Sequence, residues 1–504
     1  MTASEVVTAD ITRQAGRGLK WTISGQLAMK VGSFAMSLVL ARLLAPAYFG
    51  VYAIALAATA ILIHVNDVGL ISATVQWRGR LEDMAPTASL MAVIFAAVIY
   101  GLFWFAAPAF ASAAGDPAAT TVVRLLALTI VIDGITAVRS GAIMRTFKQD
   151  KLTIANAAGL VVNAAVAITL ARHGAGAFSF AWGQVAAAVV TGAIVMAVAG
   201  VPVRLGFDRA IAGRLIRYGV PLAAGLGVEA IALNIQFAVV GRIAGSVALG
   251  FFLLAYNVSS WAQTILGTAI RYVSVAGFSR LSEHDDEALS AGVQRSMPLL
   301  VLVVAPIVTL TSVLAVPLVA LLYGEQWAPV APVLQLLVYL TLARMVSNLA
   351  TDALMGAGAT HASLYINLGW AAALIPALWW ATTVDGIRGA AIAQSAVGFV
   401  VVIPLAAIAL HRVGVTLKPI GRKLVRPLLS AVVAGVVALL VSRLVPAQPL
   451  LLLMLGGTAA TLVYIPLAVP AELLRQVWAR IRRRSAPATG YDGTEECAVR
   501  ADGC

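Results

Sequence analysis

Residues 25–55 read GQLAMKVGSFAMSLVLARLLAPAYFGVYAIA, and residues 225–255 read GLGVEAIALNIQFAVVGRIAGSVALGFFLLA. The two stretches align without a gap at a shift of 200, and Gly25, Val39, Arg42, Gly50 and Ala55 are identical to their partners. The order of features carries more than the identity. In each copy an apolar run ends at an arginine, Arg42 or Arg242, and a short turn follows. Gly50 or Gly250 then opens the next apolar run through aromatic residues. A parallel repeat of this length is a transporter architecture. It predicts two halves related by a pseudo-two-fold along the membrane normal, with Arg42 superposing on Arg242.

Composition bounds the class. The chain has 504 residues, 61% hydrophobic and 11% charged, with a mean hydropathy of +0.93. Soluble domains carry about 25% charged residues, so the sequence reads as an all-α polytopic membrane protein. Helices are the default because every backbone polar group in lipid must be satisfied within its own segment. Fourteen spans are expected, at about 21–43, 48–70, 87–111, 121–143, 152–171, 177–199, 216–242, 247–270, 299–322, 330–354, 362–383, 387–411, 424–446 and 449–470. The organisation follows: a cytoplasmic segment 1–20, an N-lobe 21–199, a linker 200–215, a C-lobe 216–411, a basic loop with two further spans 412–470, and a tail 471–504. The tail begins as a basic amphipathic helix from Arg475 and turns polar and disordered from Ser485.

Charge tests the count. With the N-terminus inside, 26 of the 35 basic residues fall in inside segments, whereas the outside loops hold only Arg42, Arg172, Arg242, Arg388 and Arg443. This is the positive-inside pattern, with both termini cytoplasmic. The net charge of +13 is then accounted for by topology and anionic headgroups, with no call for nucleic acid. Cys497 and Cys504 lie in the last eight residues and frame no disulfide core. The acidic run Glu283, Asp285, Asp286 and Glu287 reads as a solvated helix face rather than a metal site.

No enzyme signature is present. There is no phosphate loop, no H-E-x-x-H, no nucleophile elbow, and the five histidines are scattered. No catalytic residue, cofactor or metal is expected. The informative residues are polar ones inside spans. Gln26, Lys30, Ser33 and Ser37 fall on one face of span 1. A charge at the depth of Lys30 costs at least about 2.5 kcal/mol and calls for a wet cavity or a partner. Tyr256, Ser260, Gln263 and Arg271 form a similar stripe in span 8. Lys30, Gln26, Ser33, Ser37, Tyr256, Gln263 and Arg271 are therefore the candidate cavity residues. Glu229 aligns with Met29 beside Lys30 in the repeat; with Asp352 it is a candidate for ion coupling. Structural readings stand beside these: Arg344 and Asp352 as an ion pair, Arg124 and Arg139 as residues reaching opposite interfaces, His64 as an interhelical histidine, Asp67 as an anchor of its turn.

Several motifs resemble a known family. Tyr48-Phe49-Gly50-Val51-Tyr52-Ala53 with Asp67-Val68-Gly69-Leu70 resembles the opening of Wzx-type polysaccharide flippases. These belong to the multidrug/oligosaccharidyl-lipid/polysaccharide exporter superfamily. Leu249 to Tyr256 with Gly277-Phe278-Ser279-Arg280-Leu281 resembles the second-half motif, and Arg145 to Lys151 the basic loop before span 5. The resemblance covers roughly residues 15–415. It implies two six-helix lobes forming a V around a central cavity, plus two C-terminal helices. It also implies flipping of polyprenyl-pyrophosphate-linked oligosaccharide across the bacterial inner membrane for lipopolysaccharide or exopolysaccharide synthesis. Implied partners are that glycan, membrane lipids, and polysaccharide polymerase and export machinery. Two other readings stay open: a multidrug or cation antiporter, which favours an acidic cavity, and a membrane polymerase or glycosyltransferase, which needs a large extramembrane loop.

Overall fold

Long apolar segments can satisfy their own backbones only as helices, and the computed structural model contains no strand among its described residues. Those are residues 25–469 except 67–70, 72, 75, 76, 78, 147, 202, 203, 283–285, 446 and 447; for 64, 65, 262, 264–282, 286, 287, 360 and several of 221–232, Glu229 included, the description is of the backbone alone. Segment 1–20, the tail, Asp67 and His284 thus lie outside the described residues, as do the side chains of His64, Glu229 and Arg271.

In chain order the helices are α1 (Gly25–Leu43), α2 (Pro46–Asn66), α3 (Leu81–Ala113), α4 (Ala119–Arg145), α5 (Gln149–Arg172) and α6 (Phe178–Val198). A 74-residue helical stretch, Arg209–Ser282, is broken at Gly245, giving α7 (209–244) and α8 (246–282). Then come α9 (Asp286–Val313), continued past Leu314 by a short helix Ala315–Leu322, and α10 (Val330–Gly356). A second broken stretch turns at Asp385 and Gly386, giving α11 (360–384) and α12 (387–412). The last two are α13 (Lys418–Leu444) and α14 (Pro449–Ala468). Among the described residues, twelve helices are long and apolar enough to cross a membrane. Two of those are broken within, at Gly245 and at Asp385–Gly386, so they divide into fourteen helices, the number of spans expected. Gly245 makes its break at φ 84°, a region side chains with a Cβ rarely enter.

Helix ends run past the expected spans. The stretch read as 216–242 starts at Arg209, and α8 extends to Ser282 rather than 270. Hydropathy marks where hydrocarbon ends, whereas a helix continues through polar residues until a turn signal stops it.

The repeat is visible as a reciprocal contact. A Cβ on Gly50 would strike the Ser246 carbonyl, and a Cβ on Gly250 would strike the Pro46 carbonyl. Ser246 and Pro46 are themselves partners at the shift of 200, so each half makes on the other the contact it receives. That is the signature of a two-fold interface, and the halves run in the same direction because six crossings separate them. A hydrophobic core shared by both halves joins Leu40, Phe49 and Phe180 to Leu249, Phe252 and Trp327. A second core binds α9 and α10 to α13 and α14. The Tyr464 hydroxyl donates to the Leu302 carbonyl at 2.7 Å, so the two last helices are fixed to the second half.

Candidate functional site

The two halves are tied together at the end where α1 meets α2 and α7 meets α8. Arg42 donates through Nε to the Leu322 carbonyl at 3.2 Å and through Nη2 to the Leu321 carbonyl at 2.8 Å. Those carbonyls close the short helix after α9, where unsatisfied acceptors attract a cation. In the other direction, Gln326 Nε2 and Trp327 Nε1 donate to the Ala41 carbonyl at 2.7 and 2.8 Å. Trp327 is fully buried and meets Phe49 and Phe251 edge-on, with centroids 4.9 and 5.8 Å away. Phe49 in turn meets Phe180, which stacks on Tyr52. An aromatic plug rooted in both halves therefore seals this end. Sequence reasoning gave Arg42 as a loop charge and missed Gln326 and Trp327; a tryptophan after Gly324-Glu325-Gln326 was the available signal.

The polar stripe of α1 lies below this seal. Gly25 and Gly32 sit against Thr153 and Leu160 of α5, while Phe34 meets Trp261 of α8 edge-on. Gln26, Lys30 and Ser33 are exposed and Ser37 is half-buried. The opposite, equally exposed face carries Leu27, Val31 and Val39. One exposed face of this helix is thus polar and the other apolar. No ion pair involves Lys30 among the described residues.

Tyr256 and Gln263 do not face this stripe in the same way. Tyr256 is turned into the second half, edge-on to Phe237 at 5.5 Å, and its hydroxyl accepts from Arg344 Nη1 at 2.8 Å. The guanidinium lies 5.6 Å from the ring centres of both Tyr256 and Trp370. Gln236 also reaches the Tyr256 hydroxyl and accepts from Gln394. Gln263 is half-buried on the same helix. The expected Arg344–Asp352 ion pair is not formed. Eight helical residues separate the two by about 12 Å, and the one ion pair among the described residues is Arg80–Glu82, at 2.7 Å. Asp352 is buried and engaged by other groups.

The first half holds a cavity of about 530 Å³ between α2, α4, α5 and α6, lined by Asp133, Asn156, Asn163 and Gln184 with several threonines. Its lining contains no lysine or arginine. Gln184 donates to the Tyr52 hydroxyl at 3.0 Å. Several of the threonines bond back to helix carbonyls, so the carboxylate and the amides dominate its polarity. Arg139, read as reaching an interface, is buried at 2% exposure. Arg124 bonds the Trp104 carbonyl at 3.0 Å and lies over its ring at 4.6 Å.

The described helices thus form two lobes tied together at one end, with polar side chains at mid-depth. The sequence profile of a family described as polysaccharide biosynthesis protein matches residues 39–332, and the chain belongs to that family. It is similar to the succinoglycan biosynthesis transport protein ExoT of Rhizobium meliloti, 26% identical over 332 residues and covering 65% of each chain. It is also similar to the lipopolysaccharide biosynthesis protein WzxC of Escherichia coli, 24% identical over 370 residues, 72% of this chain and 74% of that one. The Wzx-type resemblance of the motifs is thereby borne out. Among solved structures, the lipid II flippase MurJ in an inward closed conformation aligns with a TM-score of 0.72 at 13% identity, over 92% of this chain and all of that one. An inward-facing MATE transporter of the MOP superfamily aligns at 0.60 and 18%, over 78% and 98%. At these identities the likeness is one of fold.

Proposed function

We propose that the protein flips a polyprenyl-(pyro)phosphate-linked oligosaccharide across the bacterial cytoplasmic membrane by alternating access, for cell-surface polysaccharide synthesis. The observation that carries this reading is the pairing of a tight contact between halves at the Arg42 end with the exposed polar stripe of Lys30 below it. A glycan cannot cross hydrocarbon unaided, because each hydrogen bond lost to water costs kilocalories. Polar side chains at mid-depth replace that water. Lys30 meets the phosphate charge, with Gln26, Ser33, Ser37 and Gln263 accepting and donating to hydroxyls. Arg271 shares that charge with Lys30, and Tyr256 acts within the second half. The lipid tail stays in the bilayer, and an apolar groove between α9, α10, α12 and α13 lined by Val308, Tyr339, Phe399 and Val432 offers it a path. Both termini are cytoplasmic in this reading, the Arg42 end faces outward, and rocking of the lobes opens the seal. Asp352 and Glu229 serve ion coupling, and polymerase and export machinery receive the product.

Surface glycan in a deletion strain complemented with variants tests this. Lys30→Ala and Lys30→Glu abolish export while the protein stays in the membrane, and Lys30→Arg keeps part of it. Full export by Lys30→Ala, or full rescue in Lys30→Ala/Glu229→Ala, removes Lys30 from the substrate path. A cation antiporter is the second reading, favoured by the acidic lining at Asp133; drug resistance without any change in surface glycan would select it.

A further inference from the structure

The strongest group outside the α1 stripe is the guanidinium in the second half. We infer that Arg344, held between Tyr256 and Trp370, is a binding seat for a phosphate-type anion inside the C-lobe.

Arg344 is the fifteenth residue of the 27-residue helix α10, which puts it about 20 Å from the sealed end and near the bilayer midplane. It spends one donor on the Tyr256 hydroxyl. Its other nitrogens make no hydrogen bond with the described residues, and none of them is among the fully buried polar atoms without a partner. They therefore keep accessible surface on a half-buried side chain. No carboxylate forms an ion pair with it among the described residues. Two aromatic faces and a hydroxyl stabilise the cation without cancelling its charge. They also fix the planar fork in one orientation, and a fixed fork is what matches two oxygens of a phosphate. Gln236 and Gln394 brace the hydroxyl from behind. A purely structural arginine would have its donors consumed; this one has them presented.

The seat rests on the flippase reading only for the source of the anion. A pyrophosphate headgroup, a bilayer phospholipid and free pyrophosphate share the chemistry, and binding separates them. The purified full chain in phosphatidylcholine nanodiscs is titrated with radiolabelled farnesyl pyrophosphate. Saturable binding is expected, weakened about tenfold or more by Arg344→Gln, as for loss of a bidentate charged contact. Arg344→Lys recovers part of it, and Tyr256→Phe, which keeps the ring, weakens it less than Arg344→Gln. Competition by inorganic pyrophosphate as strong as by unlabelled ligand assigns the seat to the free anion; weaker competition assigns it to a lipid-linked one. Displacement by phosphatidylglycerol in the disc assigns it to a bilayer headgroup. Undiminished binding in a well-folded Arg344→Gln, or equal competition by uncharged farnesol, overturns the seat. Normal surface glycan in the deletion strain would remove the flippase reading and leave the seat standing.

Discussion

The two lobes are alike where they touch and opposite in charge at mid-depth. At the sealed end Gly50 and Gly250 make the same contact on each other's half. At mid-depth, α4 and α10 are both 27 residues long, and Asp133 and Arg344 are each the fifteenth residue of their helix. The first lobe thus sets a carboxylate in an amide-rich cavity, and the second sets a guanidinium against two aromatic rings. Glutamines repeat the contrast: Gln184 supports Tyr52 in one lobe, and Gln394 supports Gln236 and Tyr256 in the other. Backbone packing tolerates only one solution at a close approach, so the seal keeps the repeat. Mid-depth positions are released from that constraint, and there the copies have diverged in sign.

The sharpest way to break this comparison is to exchange the charges. Asp133→Arg with Arg344→Asp keeps the net charge and the repeat but reverses the polarity. Glycan export is expected to fall to background, while both proteins reach the membrane in equal amount. Retained export would show that the sign of each lobe is irrelevant.

Trp327→Ala attacks the part the lobes share. Large-to-small changes at fully buried aromatics destabilise by about 3–5 kcal/mol, and here the loss falls on both lobes at once. A lowered melting temperature is expected, together with labelling of a cysteine placed at Ala41 by an impermeant thiol reagent from outside. A protein that stays unlabelled and melts normally contradicts the seal.

Smaller and symmetric effects are expected at the reciprocal glycines. Gly50→Ala and Gly250→Ala each push a methyl into a carbonyl of the other half, an overpacking of about 1–3 kcal/mol. Thermal denaturation should rank the two variants together. A large difference between them would show that only one side of the contact bears load. The least effect belongs to Arg124: Arg124→Gln removes a partly exposed cation from over Trp104, worth about 0.5–1 kcal/mol, and export should persist.

Much of this was legible before any coordinates. Apolar run length gives fourteen crossings, because a bilayer demands about 20 residues per helix whatever the neighbours are. The shift of 200 and the arginine at the end of each run are local text, as is the four-three-four spacing of Gln26, Lys30, Ser33 and Ser37. Helix ends past the hydrocarbon were less legible, since polar residues continue α7 and α8 with no local stop. What only the tertiary structure decided is which charges meet. Spacing on one helix suggested Arg344 with Asp352; the rotation of α10 against α8 instead gives Arg344 to Tyr256, 88 residues away. Trp327 reads as one apolar residue in a short loop until Ala41, 286 residues distant, supplies its acceptor. Hydropathy and periodicity are properties of a segment, and they determine how many helices form and which face is polar. Contact between faces depends on the relative rotation of helices joined far apart in the chain, and packing alone determines that.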